Sequence, residues 1–318
     1  MRRTLSAAAV LASLALAAPA PAQTGPALLL KPLLHEQENL ESRGDALFLG
    51  NAQAESLDFD LSIYEASGRF RERRENLIPR IGWDLTYLDL DSDMPVLDQN
   101  LIDTSVAIGL EVGEYSGWRS GLTVGVGYAG NSPFGESDAY YGKATLVLGR
   151  KLDKRTDLAL VIDYDGNRSV FPDIPLPGIA YRHEFDPKLS YVLGVPLSSV
   201  TWKPTPAWLI EVTWNLVDRI DARFEHKLAG NVTVFGNLEQ RSEAYTVDGL
   251  DGHDRLLFEQ RRAEVGVRWH PWEHTSFLVA GGYAFGSEFS VGFDQRDSDE
   301  IADISDEPYF RLGFERRW

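Results

Sequence analysis

The chain has 318 residues, 43% of them hydrophobic, 48 acidic against 31 basic, and no cysteine. That acidic balance argues against nucleic acid or a bare anionic surface as partner, and the missing cysteines exclude disulfides, thiolate metal sites and cysteine nucleophiles. Residues 1–22 read as a cleaved signal peptide, with Arg2 and Arg3 before a short apolar run and a small-x-small end at Ala20-Pro21-Ala22. Removing them leaves 29 basic and 48 acidic residues, a net charge of −19, in an exported chain. Residues 23–56 are expected to form a periplasmic N-terminal extension. Within it, Ala27–Ser42 offers a short helix interrupted at Pro32.

From residue 57 onward, apolar residues recur at every second position, the period of a strand with one apolar face. Leu57, Phe59, Leu61 and Ile63 alternate with Asp58, Asp60, Ser62 and Tyr64. The pattern repeats at Ile81–Tyr87, Val106–Val112, Leu122–Tyr128 and Leu158–Tyr164. In the second half it returns at Trp208–Trp214, Ile220–Phe224, Val232–Leu238, Ala263–Trp269 and Phe277–Phe285. The intervening positions are charged, small or glycine. No apolar run after the leader approaches the roughly 20 residues of a spanning helix.

The connections alternate too. GEYSGW, LDKRTD, KPTPAW and HPWEHT are tight, whereas DSDMPVLDQN, AGNSPFGESD, GNRSVFPDIPLPG, YTVDGLDGHDR and the acidic GFDQRDSDEIADISDEP are long. Short turns at one end and long polar loops at the other are the habit of outer-membrane barrels. Aromatics gather near strand ends, among them Trp118, Trp202, Trp208, Trp214, Trp269, Trp272 and Trp318, where interface girdles would sit. The expected fold is therefore all-β, an antiparallel transmembrane β-barrel over residues 57–318. It should have an even count of twelve to fourteen strands, fourteen preferred, with both termini on the short-turn side.

The chain ends EPYFRLGFERRW. Phe310, Leu312, Phe314 and Trp318 fall on one face, and this segment resembles the C-terminal signal by which barrel-assembly machinery recognises bacterial outer-membrane barrels. Arg316 departs from that pattern; arginine near an interface can snorkel. IPLPGIAYRHEF, LSYVLGVPLSSVTWKP, HDRLLFEQRRAEVGV, and GGYAF with EPYFRLGFE resemble an uncharacterised family of predicted bacterial outer-membrane β-barrels, a domain of unknown function. The resemblance covers roughly residues 170–318 and, more faintly, the first half. It implies a fold and a place in the outer membrane of a Gram-negative bacterium, among lipid and lipopolysaccharide, and no reaction.

If the apolar faces meet lipid, then Glu211, Asp221, Arg223, Glu225, Lys227, Glu239, Arg241, Glu264, Arg268, Arg311 and Glu315 line the lumen. Such residues either border a water-filled path for small polar solutes or form a network that closes the barrel. No catalytic constellation and no cofactor is read from the sequence. His253 lies beside Asp254 in a polar loop, and Pro271 breaks any helical pairing of His270 with His274. The acidic run over 294–307 lacks the glycine spacing of a calcium loop. A narrow channel or transporter is the favoured reading. The alternatives are a closed structural or adhesive barrel with acidic outer loops and, after that, a barrel hydrolase.

Overall fold

The computed structural model describes residues 40–54, 57–70, 81–94, 97, 99–215, 219–250 and 252–318. The signal peptide and the helix expected over Ala27–Ser42 fall outside the described residues up to Leu40, where a strand begins. The strands in chain order are β1 (Leu40–Ala54), β2 (Leu57–Phe70), β3 (Ile81–Ser92), β4 (Asn100–Tyr115), β5 (Trp118–Gly130) and β6 (Tyr140–Lys151). There follow β7 (Thr156–Asp165), β8 (Leu176–Asp186), β9 (Leu189–Val195), β10 (Leu197–Trp202), β11 (Trp208–Asn215) and β12 (Arg219–Ala229). The last are β13 (Val232–Tyr245), β14 (Arg255–Trp272), β15 (Thr275–Gly292), β16 (Ser298–Ile304) and β17 (Glu307–Arg317).

Each strand from β1 to β15 pairs antiparallel with the next in sequence, β16 and β17 do not pair with each other, and β17 closes the ring on β1 through nine registered pairs from Glu41↔Arg317 to Leu49↔Tyr309. Strand β15 pairs with β17 along its first part and with β16 along its last, so β16 and β17 share one place. The result is a closed antiparallel barrel of 16 strand positions rather than fourteen, the even count retained. The backbones of Leu40 and Trp318 exchange hydrogen bonds of 3.2 and 2.9 Å, which puts the two described ends side by side. At that end lie the turns 116–117, 152–155, 187–188, 203–207, 230–231 and 273–274. The connections 93–99, 131–139, 166–175, 246–254 and 293–297 lie at the other. A closed ring leaves no unpaired edge, the condition for backbone to cross hydrocarbon.

Two boundaries and the facing of one strand differ from expectation. The barrel starts at Leu40, so β1 lies within the stretch expected to be a periplasmic extension. β1 escapes the period-two reading because its outward residues Ser42, Gly44 and Ala46 are small and its inward Glu41, Arg43 and Asp45 are charged. The acidic run is only partly loop: residues 298–304 form β16. The third difference concerns β2, whose Phe59, Leu61 and Ile63 are buried inside the barrel while Asp60 and Tyr64 take the outer face.

β3 shows why. Its register runs unbroken against β2, yet Trp83, Leu85 and Tyr87 point outward below and Leu88 and Leu90 point inward above, with Asp89 and Asp91 now outside. Apolar side chains turn toward whichever side is dry. Below Tyr87 the apolar side chains of β3 take the outer wall; above it, the barrel interior. Tyr87 pairs with Tyr64, ring centroids 6.1 Å apart, at the level of the change. Elsewhere the outer wall carries exposed Ile108, Val126, Ile162, Ile179, Val212, Val265 and Val279, the belt a barrel turns to hydrocarbon. Trp202, Trp208, Trp269, Trp272 and Trp318 rim this belt at the terminal end, and Tyr140, Trp214 and Tyr283 lie toward the other.

Candidate functional site: the barrel interior

The strand registers put all eleven residues expected in the lumen on the inner face: Glu211 of β11; Asp221, Arg223, Glu225 and Lys227 of β12; Glu239 and Arg241 of β13; Glu264 and Arg268 of β14; Arg311 and Glu315 of β17. Most engage one another or residues that the sequence did not single out. Glu225 accepts hydrogen bonds from both Arg223 and Arg268. Arg311 reaches Glu264 and lies 3.5 Å from Asp45 of β1, and the Tyr309 hydroxyl donates to Glu264 at 3.0 Å. Arg317 holds Glu315 at 2.5 Å.

Some pairs cross the lumen. Arg241 on β13 donates to Glu65 on β2 as well as to Glu243 on its own strand. Arg262 on β14 lies 3.9 Å from the same Glu65 and 3.0 Å from Glu239. Four strand positions separate β13 from β2, so these contacts draw opposite walls together. Glu41, Arg43, Asp45, Glu65 and Arg69 were not predicted because they lie on β1 and on the polar inner positions of β2. Arg262 was within reach of the pattern, having the same parity as Glu264 and Arg268.

Glycines make room for inward rings of the neighbouring strand. A side chain on inward Gly282 would collide with the Tyr309 ring, and one on Gly266 with Phe235. At the long-loop end two distant parts of the wall meet. Gly130, ending β5, bridges to Thr246, just after β13, and the Thr246 N–H donates to Ala129 O at 3.0 Å. This bridge pinches the ring into two lobes. The first, β13–β17 with β1–β5, is filled above the ion pairs by an apolar cluster that includes Leu47, Leu61, Leu88, Leu101, Phe258 and Phe289. Phe258 and Phe289 stack with centroids 4.8 Å apart.

The second lobe, β5–β13, has shorter walls, and its inner face mixes small side chains with long ones such as Tyr141, Lys143, Arg182, Arg223 and Lys227. Its inner face carries Thr123, Thr145, Ala159, Val161, Gly178, Ala180, Ser190, Gly194, Ser199 and Thr201. From β9 to β12 the inward Ser190, Ser199, Thr201, Glu211, Thr213 and Asp221 are only half-buried. Exposure on the inside of a closed ring means space that water can fill. Lys143 faces this lobe 3.4 Å from Asp165, and Arg168 binds Asp163 at 2.9 Å.

Phe310, Leu312 and Trp318 are exposed on the outer face, and Phe314 shares that face, packing on Phe277 at 5.2 Å. Of the histidines weighed above, His253 stands in the 246–254 loop, His270 near the end of β14 and His274 in the turn that follows. Among the described residues no three His, Asp or Glu side chains are placed to hold a metal ion.

No family model matches the chain, and no curated protein matches it. Among solved structures it is similar to the toluene transporter TodX of Pseudomonas putida, at 11% identity over 93% of each chain and a TM-score of 0.39. It is also similar to the NanC porin, at 9% identity over 88% of this chain and all of that one, TM-score 0.29. OmpT, an outer membrane protein of Vibrio cholerae, matches at 10% identity over 88% of this chain and 96% of its own, TM-score 0.29. At these scores the likenesses assign neither substrate nor mechanism.

Proposed function

We propose that the chain is an outer-membrane β-barrel of a Gram-negative bacterium that passes small polar solutes through its second lobe, without covalent chemistry. The half-buried inward Ser190, Ser199, Thr201, Glu211, Thr213 and Asp221, which stand beside buried Val192 and Leu197, carry this reading. A barrel that served only as a rigid post would gain from filling that space, as the first lobe does. Serine, threonine and mixed charge are side chains that solvate a passing polar molecule and hold none tightly. The conduit is narrow, because cross-lumen ion pairs and the apolar cluster take the other lobe out of use. Export relies on residues 1–22 as a cleaved signal. Assembly relies on the last strand, where Phe310, Leu312, Phe314 and Trp318 are read by barrel-assembly machinery, and the outer belt meets lipid and lipopolysaccharide. The resemblance to uncharacterised outer-membrane barrels agrees with this placement.

The packed first lobe favours a second reading, a closed structural or adhesive barrel. Conductance separates the two. The protein, refolded into a planar bilayer in KCl, is expected to give small discrete current steps. Ser199→Trp, which puts a large ring on the inner face of the second lobe, should at least halve the step size while the unboiled barrel still runs ahead of the boiled chain on a gel. A silent wild-type protein and silent variants would favour the closed barrel.

A further inference from the structure

The loop 166–175 joins β7 to β8 on the far wall of the second lobe, yet its anchors lie across the interior. The Asn167 amide donates to Asp103 of β4 at 3.2 Å and to Ala244 O of β13 at 3.0 Å, and its oxygen accepts from Arg255 of β14 at 3.2 Å. Arg255 also donates to Arg168 O at 3.1 Å. The Gln295 N–H donates to Ser169 O at 3.0 Å, and the Phe171 N–H to the Asp294 carboxylate at 3.2 Å. The Arg296 guanidinium lies 3.8 Å from the centre of the Phe171 ring.

We infer that this loop is a latched lid over the outer mouth of the second lobe, shutting in this structure the conduit proposed above and opening when the anchors release. The inference rests on that reading of the second lobe. Two features make the loop a lid rather than a fixed part of the wall. It is a preformed unit: Arg168 donates inward to Phe171 O at 3.1 Å and Ile174 O at 3.2 Å, so the loop can swing without unfolding. And it is docked chiefly by polar contacts, through buried Ser169, Arg255 and Asp294: of its apolar side chains only Pro172 is fully buried, while Phe171 and Ile174 remain 37% and 48% exposed. Hydrogen bonds that water can replace hold one state over another by a modest margin, the condition for two populated states. Asp294 suits the role of catch. Burial pushes its carboxyl up, but hydrogen bonds from Arg296 and from the Arg296 and Phe171 N–H groups outweigh that and hold it below the usual carboxylate range. It therefore stays charged at neutral pH.

The chain has no cysteine, so a pair of introduced thiols reports cleanly. In planar bilayers in KCl, Asn167→Ala should raise the open fraction at least tenfold over wild type. The double variant Ser169→Cys with Gln295→Cys, oxidised, should cut conductance at least tenfold and recover on reduction, with loss of thiol labelling showing that the bond has formed. Asn167→Ala needs no bond to form, and a wild-type open fraction in that variant overturns the lid while leaving the conduit intact. A wild-type protein and an Asn167→Ala variant that are both silent remove the conduit and the lid together.

Discussion

The two lobes are built on one continuous sheet and differ in what their inner faces hold. In the first, Leu47, Leu61, Leu88, Phe258 and Phe289 pack above a layer of arginine–carboxylate pairs. In the second, β9 has 7 residues and β10 only 6, and their inner positions are serine, threonine, valine, leucine and glycine. The tall strands rise beyond the level at which apolar residues change sides, so their upper parts must make a core of their own, as a water-soluble domain does. The short strands end near that level and have no such need. On the proposed function, the difference places the stability of the barrel in one sector and leaves the other for passage.

The sharpest way to break the comparison is to remove packing from the first lobe. Phe258 is fully buried against Phe289, and Phe258→Ala should cost about 3–5 kcal/mol. The matching change in the second lobe, Thr201→Ala, should stay within about 0.5 kcal/mol, because its side chain faces partly filled space. Urea midpoints of the refolded proteins measure both. Equal losses would mean that the second lobe is packed as well, and the conduit would have no room.

Next in size is the cross-lumen pair set. Glu65→Ala leaves Arg241 without one of its two carboxylates and removes the opposite wall's hold on Arg262. Breaking a buried pair costs about 3–5 kcal/mol. The Glu65 side chain is 25% exposed, and Glu243 and Glu239 remain as partners, so a loss of about 1–2 kcal/mol is expected. Its effect on conductance should be small, since Glu65 lies outside the proposed conduit. A large gain in step size on Glu65→Ala would place the path between β2 and β13 instead.

Much of this architecture is legible in the chain. Period-two alternation from Ile81 to Phe285, tight turns against long loops, and the closing strand with its terminal aromatic specify a barrel with its ends together. The inner parity of Glu211 through Glu315 follows from the same alternation. What stays hidden is which face is dry. Leu57, Phe59, Leu61 and Ile63 look like lipid-facing residues, and most of them line the interior, because alternation reports a dry face and not its side. β1 is hidden for a different reason: with small residues outward and charges inward it alternates in size rather than in hydropathy. Nor does any local pattern announce that Arg241 meets Glu65, a contact made by the curvature of the whole ring.

The smallest expected effect tests the seam between β17 and β1, where the packed lobe closes. Arg316 is outward in this register, between Phe314 and Trp318, and its guanidinium lies 4.8 Å from the Trp318 ring centre. An arginine there can lay its stem on apolar surface and send its charge to the interface. Arg316→Leu should then cost only the cation–π contact, about 0.5–1 kcal/mol, and leave the folded yield near wild type. The opposite result would be informative about the whole lobe. Shifting a strand by one residue exchanges its two faces. Were Arg316 inward, Arg311 and Glu315 would turn to lipid, and the pairs with Glu264 and Arg317 would have no place inside. A loss of several kcal/mol on Arg316→Leu, with no comparable loss on Arg311→Leu, would therefore show that the seam is slipped by one. The expected order is the reverse: Arg311→Leu costly, because it strips Glu264 and Asp45 of a buried partner, and Arg316→Leu nearly silent.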